Sequence, residues 1–248
     1  GKLDWKVPEG DWTIVRYGYT TTGVTIHPAT EEGAGLECDK MDPEAADIVF
    51  NHVSKNLLKH IQPNYGKTWN HILVDSWEAM FQNWTEGFIK EFKNRRGYSL
   101  IPYLPVINGE VINNVDTTER FLHDFRQTIA ELISENFYGH LHKRCKENGL
   151  ELHAEVIYGG KYHPPADVTH LYGQVDVPMH EFWPVKGRRG DYSWRNYNRR
   201  ATTNHASSAA HIYGKKVVKD EAFTVGALCG DFSFVPSKLK HIGDWAYC

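Results

Sequence analysis

Three segments decide the fold: HILVDSWE (71–78), VDVPMHEFW (175–183) and KVVKDEAFT (216–224). In each segment a short apolar run is followed by an acidic residue with Trp, Phe or His beside it. Short apolar runs bounded by polar residues are typical of buried parallel strands. Glu78, Glu181 and Glu221 are therefore predicted at the carboxyl ends of strands, the edge where a parallel α/β barrel carries its active site.

Helical patterns separate these strands and set the fold class. Asp42-Pro43 provides an N-cap and a first-turn proline for a helix to about Lys59. The clearest helix opens at Asp116, with Glu119 three residues on, and stops at Gly149. Another helix is predicted to be capped by Thr85 and to stop at Gly97, and a further helix is predicted across 199–213. Parallel strands with helical crossovers predict an α/β fold.

Strands are predicted near 71–75, 150–156, 175–178 and 216–220. A complete (β/α)8 barrel takes ~250 residues by itself, so four strands indicate either a partial TIM-type barrel or an open sheet. Residues 11–19 alternate apolar and polar side chains, which predicts a half-buried strand. Because the chain opens on a strand pattern and ends without a closing element, we expect both termini to continue into a longer polypeptide.

Composition narrows the function. The chain has 248 residues, 41% hydrophobic residues and a net charge of −3, which is ordinary for a globular protein and argues against nucleic-acid binding. No run of residues reaches the ~18 apolar positions of a membrane span. The 8 Trp, 13 Tyr and 11 Phe suit a carbohydrate site or an aromatic-rich core equally well.

Several reaction classes lack their motifs. The four cysteines show no CxxC spacing, which argues against zinc, and no HExxH occurs. A serine-hydrolase GxSxG elbow and a GxGxxG dinucleotide loop are also absent from the sequence. Oxygen ligands are plentiful, so a hard cation such as calcium is permitted by the sequence but not required by it.

The acidic residues suit glycoside cleavage. That reaction needs one carboxylic acid to protonate the leaving oxygen and a second carboxylate to activate water or attack the sugar. Apolar neighbours such as Trp77 and Phe182 raise the pKa of a nearby acid. Glu155 is a fourth candidate, with His153 predicted on the same face of its strand. Each carboxylate alone could equally cap a helix or pair with an arginine, so the prediction depends on their shared placement.

Supporting residues surround these acids. Asp75 is predicted to support the site by hydrogen bonding or to bind backbone amides. His27 and His180 could hydrogen-bond sugar hydroxyls, and His180 is preferred because it shares a segment with Glu181. The basic cluster at 186–190 is interpreted as a solvated loop, with an acidic sugar as the alternative ligand.

The chain resembles glycoside hydrolase family 106, the bacterial α-L-rhamnosidases. The segments that carry the resemblance are PEGDWTIVRYGYTTTG, HPATEEGAGLECDKMD, VDSWEAMFQNWT, EFKNRRGYSLIPYLPV, ERFLHDFRQTIAELISENFYG, VDVPMHEFW and KDEAFT, in this order along nearly the whole sequence. The motifs are long and rich in aromatic residues, so the resemblance is specific.

The resemblance implies a (β/α)8 catalytic barrel inside a longer multidomain protein. Residues 1–26 would be the end of a β-rich inserted region returning to the barrel, and residues 27–248 its central part, without the first and last strands. It also implies an extracytoplasmic enzyme that removes terminal α-L-rhamnose from polysaccharides or oligosaccharides with inversion, and a calcium ion at the sugar. No organic cofactor is implied.

Carried over by motif, Glu78 resembles one catalytic glutamate, taken as the acid, and Glu221 the other, taken as the base; the two roles could be exchanged. Glu181 would be the next catalytic candidate, binding the sugar or its metal. Trp77 and Trp183 would pack on the sugar, with His180, Glu155 and Asp75 as further substrate-binding residues. HAEVIYGG (153–160) departs from the family's usual AEPYGG-like run.

Two alternatives stay open from the residues themselves. One is a retaining glycosidase of another barrel family, and the other is a non-catalytic carbohydrate-binding fragment, which would need the aromatic rings but not the paired carboxylates. An isolated fragment could also be inactive, because a barrel that lacks strands leaves hydrogen-bonding edges open.

Overall fold

The computed structural model describes residues 3–26, 29–61, 66–156, 166–183, 197–224 and 235–247, and within these ranges the chain is α/β. The helices are α1 (Pro43–Ile61), α2 (Phe88–Arg96), α3 (Val115–Ile133), α4 (His140–Glu147), α5 (Val168–Gly173), α6 (Tyr197–Ile212) and α7 (Pro236–Ala246). The strands are β1 (His71–Val74), β2 (Glu151–Glu155), β3 (Val177–Phe182) and β4 (Lys219–Ala222). Short 3-10 helices span Glu31–Gly33 and Ile101–Asn108, and a π-helix, Ser134–Gly139, joins α3 to α4.

The four strands form one parallel sheet in the order β1-β2-β3-β4. The prediction of four parallel strands separated by helices is therefore confirmed. Two of the strands begin and end later than predicted, because Glu181 and Glu221 are ladder partners. These two glutamates consequently lie inside β3 and β4 rather than after them.

The sheet has one apolar face and one polar face. Leu152, Ala154 and Val156 belong to the same buried cluster as residues of α3 and α4, so this face packs on the helices. Side chains two residues apart lie on one face of a strand. His153 and Glu155 therefore share the opposite face, as the sequence predicts.

The first two helices follow their sequence signals closely. The helix predicted from Asp42 is α1, and the one predicted to stop at Gly97 is α2. Gly97 has φ 82°, a left-handed conformation that glycine adopts without steric cost. Thr85 is not the cap of α2, since the helix begins at Phe88 after a turn in which the Thr85 carbonyl accepts the Phe88 N–H at 3.2 Å.

The long helix differs from its prediction at the start and in the middle. Its N-cap is Asn114, whose side chain accepts the N–H of Thr117 at 2.8 Å, whereas Asp116 pairs with Arg120. The predicted continuous helix is interrupted by the π-helical residues Ser134–Gly139. Insertions of this kind are common near functional sites. The helix predicted across 199–213 is α6.

The amino-terminal region is the main correction. Residues 11–19 were predicted as a half-buried strand, but they form no strand, and residues 3–23 are exposed. An alternating pattern forms a strand only where a partner supplies ladder hydrogen bonds, and no described segment pairs with 11–19. The short α5 and the final α7 were not predicted. No helix among the described residues is both long and apolar enough to span a membrane.

Candidate active site

The parallel register brings four acidic residues to one edge and one face of the sheet. Val74 is opposite Ala154, so the next positions along β1 and β2 are Asp75 and Glu155. Glu181 is opposite Glu221 in the adjoining strands. Glu155 is aligned with Met179, two residues before Glu181, so all four carboxylates have the same parity and the same face. We call these four residues the acidic rim.

The carboxylates of the rim are close together. One oxygen from each of Asp75, Glu155 and Glu221 lies within 4.8 Å of the others. Asp75 is exposed, Glu221 is half-buried, and Glu155 is only 1% exposed. Glu181 is also buried and acts on Glu155 through its charge. Asp75 and Glu155 therefore lie close to Glu221, while their role as site residues stays a prediction.

Glu155 is the most perturbed of these acids. Its pKa is raised to about 9, first by burial and then by the negative charges of Asp75, Glu181, Glu221 and Asp220. Its Oε2 is buried and has no hydrogen-bond partner among the residues that the structure describes. A buried acid with like charges around it holds its proton at neutral pH unless a cation replaces that proton.

Glu78 lies at the same end of the sheet but outside this group. It is half-buried, four residues after the end of β1, and Ser76 Oγ donates to its Oε1 at 3.1 Å. The group of carboxylate oxygens that lie within 4.8 Å of one another does not include Glu78. Glu78 is therefore held by its own loop, beside the rim rather than within it.

Two predicted sugar contacts occupy other positions. Trp77 is 1% exposed, its ring belongs to the core, and its Nε1 donates to the Met80 carbonyl at 2.9 Å. His180 is fully buried on the face opposite Glu181, and its Nδ1 accepts the Glu181 N–H at 2.6 Å. Strand alternation explains the position of His180, since neighbours in a strand point to opposite faces. Both side chains support the site from within the protein.

Other aromatic side chains lie at the end of β3. Trp183 is half-buried, and Phe182 packs edge-on against Phe223 with ring centroids 5.0 Å apart. His27, Gly159, Gly160 and the cluster at 186–190 lie outside the described residues.

The raised pKa of Asp220 was not predicted from the sequence. Burial raises its pKa to about 6, and the Thr203 hydroxyl of α6 opposes that shift. Asp220 aligns with His180, so it lies on the helix-facing side behind Glu221. The available signal was its place one residue before Glu221, which strand alternation sends to the other face.

The rim fits a hard cation. Calcium binds 6–8 oxygen ligands at 2.3–2.6 Å, so ligands on opposite sides of one ion are about 5 Å apart. The oxygens of Asp75, Glu155 and Glu221 fall within that span. A cation there would also satisfy the buried Glu155 Oε2. These three residues could therefore hold a metal ion, with other ligands from substrate or water.

An α/β sheet with clustered carboxylates at the carboxyl ends of its strands is the architecture of a carbohydrate-cleaving enzyme. The family model of glycoside hydrolase family 106, described as alpha-L-rhamnosidase, matches residues 1–248, and the chain belongs to this family. The resemblance inferred from the sequence is thereby confirmed.

Two known proteins extend the comparison. The structure of a rhamnosidase from Novosphingobium sp. PP1Y superimposes with a TM-score of 0.79 and 30% identity, over 91% of this chain and 21% of that one. A protein of Formosa agariphila named "Putative beta-glucuronidase" is 39% identical over 247 residues, which is 100% of this chain and 20% of the relative. The chain thus spans about a fifth of the proteins it matches.

Proposed function

We propose that the full-length protein is an inverting α-L-rhamnosidase that removes terminal rhamnose from glycans. The observation that carries the proposal is the acidic rim, in which three carboxylate oxygens lie within 4.8 Å of one another at the carboxyl ends of parallel strands. The family match and the rhamnosidase-like fold support the same activity. β1 to β4 would supply half of a (β/α)8 barrel, with residues 1–26 leading into it.

In the proposed reaction Glu78 is the acid and Glu221 the base. Glu78 gives its proton to the glycosidic oxygen as that oxygen leaves the anomeric carbon. Glu221 accepts a proton from the water that attacks the same carbon from the opposite side, which inverts the configuration. An inverting site needs about 6.5–9.5 Å between its two carboxyl groups to hold that water. The proposal therefore requires Glu78, which accepts a hydrogen bond from Ser76, to lie within that range of Glu221.

A calcium ion, if bound, would neutralise the rim and orient sugar hydroxyls. Asp75 and Glu155 would hold it, because their oxygens are close together and no described residue forms a hydrogen bond with Glu155 Oε2. Glu221 can direct one oxygen to this group and keep the other for water, since a carboxylate has two acceptor oxygens. Glu181, buried next to Glu221 in the ladder, would bind the sugar or the ion.

A β-glucuronidase is the second candidate, because the Formosa relative carries that name. Glucuronate brings its own carboxylate. Placed beside a metal-free rim it would be repelled by Asp75, Glu181 and Glu221, whose charges, after burial, raise the pKa of Glu155. Neutral rhamnose has no such penalty, so the electrostatics favour the rhamnosidase.

The test is an assay of the full-length protein on aryl α-L-rhamnoside and aryl β-D-glucuronide, with proton NMR of the first-formed sugar. We expect hydrolysis of the rhamnoside alone and release of β-L-rhamnose. Preferential hydrolysis of the glucuronide would replace the proposal by the second candidate. Release of α-L-rhamnose first would show retention, and no hydrolysis with sugar affinity unchanged in Glu221→Gln would favour a binding protein.

A further inference from the structure

Lys40 is a buried cation outside the acidic rim. Its side chain is 9% exposed, and its Nζ lies 2.5 Å from Glu37 Oε2. The same Nζ is 5.4 Å from the centroid of the Trp77 ring and 5.0 Å from that of Phe137. Burying an ammonium group is costly unless it is paired, and lysine is rarely buried. Because burying its ammonium group is costly, Lys40 is a candidate for a functional role.

The backbone around Lys40 is tied to the loop that carries Glu78. Gln82, itself buried, accepts the N–H of Lys40 at 2.9 Å and donates to the Cys38 carbonyl at 2.8 Å. On the other side, Asn136 in the π-helix donates to the Met41 carbonyl at 2.7 Å. Residues 38–41 are therefore fixed between the Glu78 loop and the interrupted helix.

Trp77 links this segment to Glu78. Its ring faces the Lys40 ammonium, and its Nε1 closes a turn by donating to the Met80 carbonyl. Met80 has φ 55°, a left-handed conformation that is uncommon for a residue other than glycine. Glu78 lies inside this turn, directly after Trp77. Whatever fixes the ring of Trp77 therefore fixes the direction in which the Glu78 carboxylate leaves the backbone.

Tyr138 is influenced both by the segment that contains Lys40 and by the rim. Its pKa is raised first by burial and then by the charges of Glu37, Cys38 and Glu155.

We infer that Lys40, paired with Glu37, is a positioning residue that orients Glu78 through the ring of Trp77. The ammonium attracts the ring faces of Trp77 and Phe137, while Glu37 balances its charge. This inference builds on the proposed function, in which Glu78 is the acid. A displacement of about 1 Å at a catalytic group can cost on the order of 10²-fold in rate.

The test uses the full-length enzyme and two rhamnosides that differ in leaving group. An alkyl rhamnoside needs a proton from the acid, whereas a dinitrophenyl rhamnoside leaves without one. Lys40→Met keeps the length of the side chain and removes its charge. We expect kcat on the alkyl rhamnoside to fall about tenfold or more, kcat on the dinitrophenyl rhamnoside to change less than about threefold, and KM to stay similar.

Controls separate positioning from simple loss of folded protein. Lys90→Met, at an exposed position of α2, should leave both rates unchanged. Glu37→Gln, which keeps every backbone tie, should give the Lys40→Met pattern more weakly and serves if Lys40→Met does not fold. Equal losses on both substrates, or no loss in either variant, would overturn the inference alone. If Glu78→Gln shows no dependence on leaving group, the acid assignment and this inference both fail.

Discussion

The two ends of one sheet face differ in how their charges are arranged. At the amino-terminal end of the strands, which we call the lower end, His153 lies between an acidic and a basic side chain. Its Nε2 is 3.0 Å from Glu151 Oε2, and its Nδ1 is 3.2 Å from Lys219 Nζ. The ring of His71 stacks on that of His153 at 4.0 Å. At the carboxyl end of the strands, which we call the upper end, the acidic rim gathers like charges, and within the described part of the chain the buried Glu155 Oε2 has no hydrogen-bond partner.

This difference in charge arrangement indicates a different role for each end of the sheet face. Opposite charges that satisfy one another stabilise a fold modestly and need no ligand. Like charges brought together raise pKa values and destabilise the fold until a proton, a cation or a substrate compensates them. The strands and the side-chain alternation are the same at both ends, so the contrast comes from residue choice alone.

The largest expected effect is on catalysis at the upper end. Glu221→Gln and Glu78→Gln should each lower kcat of the full-length protein on aryl rhamnoside by about 10²–10⁴-fold, the usual contribution of a general acid or base. Glu151→Gln is the matched lower-end variant, because Glu151 lies on the same face of the same sheet. We expect it to retain nearly full activity. Comparable losses of kcat in all three variants would contradict a functional difference between the two ends.

The next effect concerns metal binding. Calcium should raise the melting temperature of chelator-treated full-length protein, since a ligand at about 100 times its Kd adds about 2.7 kcal/mol of stability. Asp75→Asn removes one negative charge from the rim and should reduce this increase in melting temperature, whereas Glu151→Gln should not. A rise of the same size in wild type and Asp75→Asn would place the calcium elsewhere in the protein.

The pH dependence of stability gives a smaller effect. The pKa of Glu155 is about 9 in the folded chain against an ordinary 4.5, so the folded state holds a proton that the unfolded state releases over this range. Stability is therefore greatest below pH 4.5 for this group and is lost as the pH rises towards 9. In chelator, the melting temperature should fall more steeply between these limits in wild type than in Glu155→Gln. Identical slopes would contradict the proton assignment.

The sequence predicts the strands well because their signals are local. Ile72, Leu73 and Val74 are too few for a helix and are bounded by polar residues, and they form β1. The alternation His153-Ala154-Glu155 likewise places Glu155 with its histidine on one face. These features depend on residues within a few positions of each other, which is why a single sequence suffices.

The missed features depend on contacts between distant segments. Nothing near Lys40 in the sequence indicates that Gln82, 42 residues later, would bind its backbone. Trp77 was predicted to line the site because it precedes Glu78, yet its ring is buried in the core. Asp116 and Asn114 are both good caps, and only the geometry of the entering chain selects Asn114.

The most direct test of the contrast compares two Glu→Gln variants four residues apart on β2. At pH 8 in chelator, we measure the melting temperatures of full-length Glu155→Gln and Glu151→Gln proteins. We predict that Glu155→Gln melts above wild type because glutamine is buried without the proton that Glu155 must take up on folding at this pH, and that Glu151→Gln melts at or below wild type because its contact with His153 is weakened. The reverse order would show that the acidic rim stabilises the fold by itself, and would contradict the account.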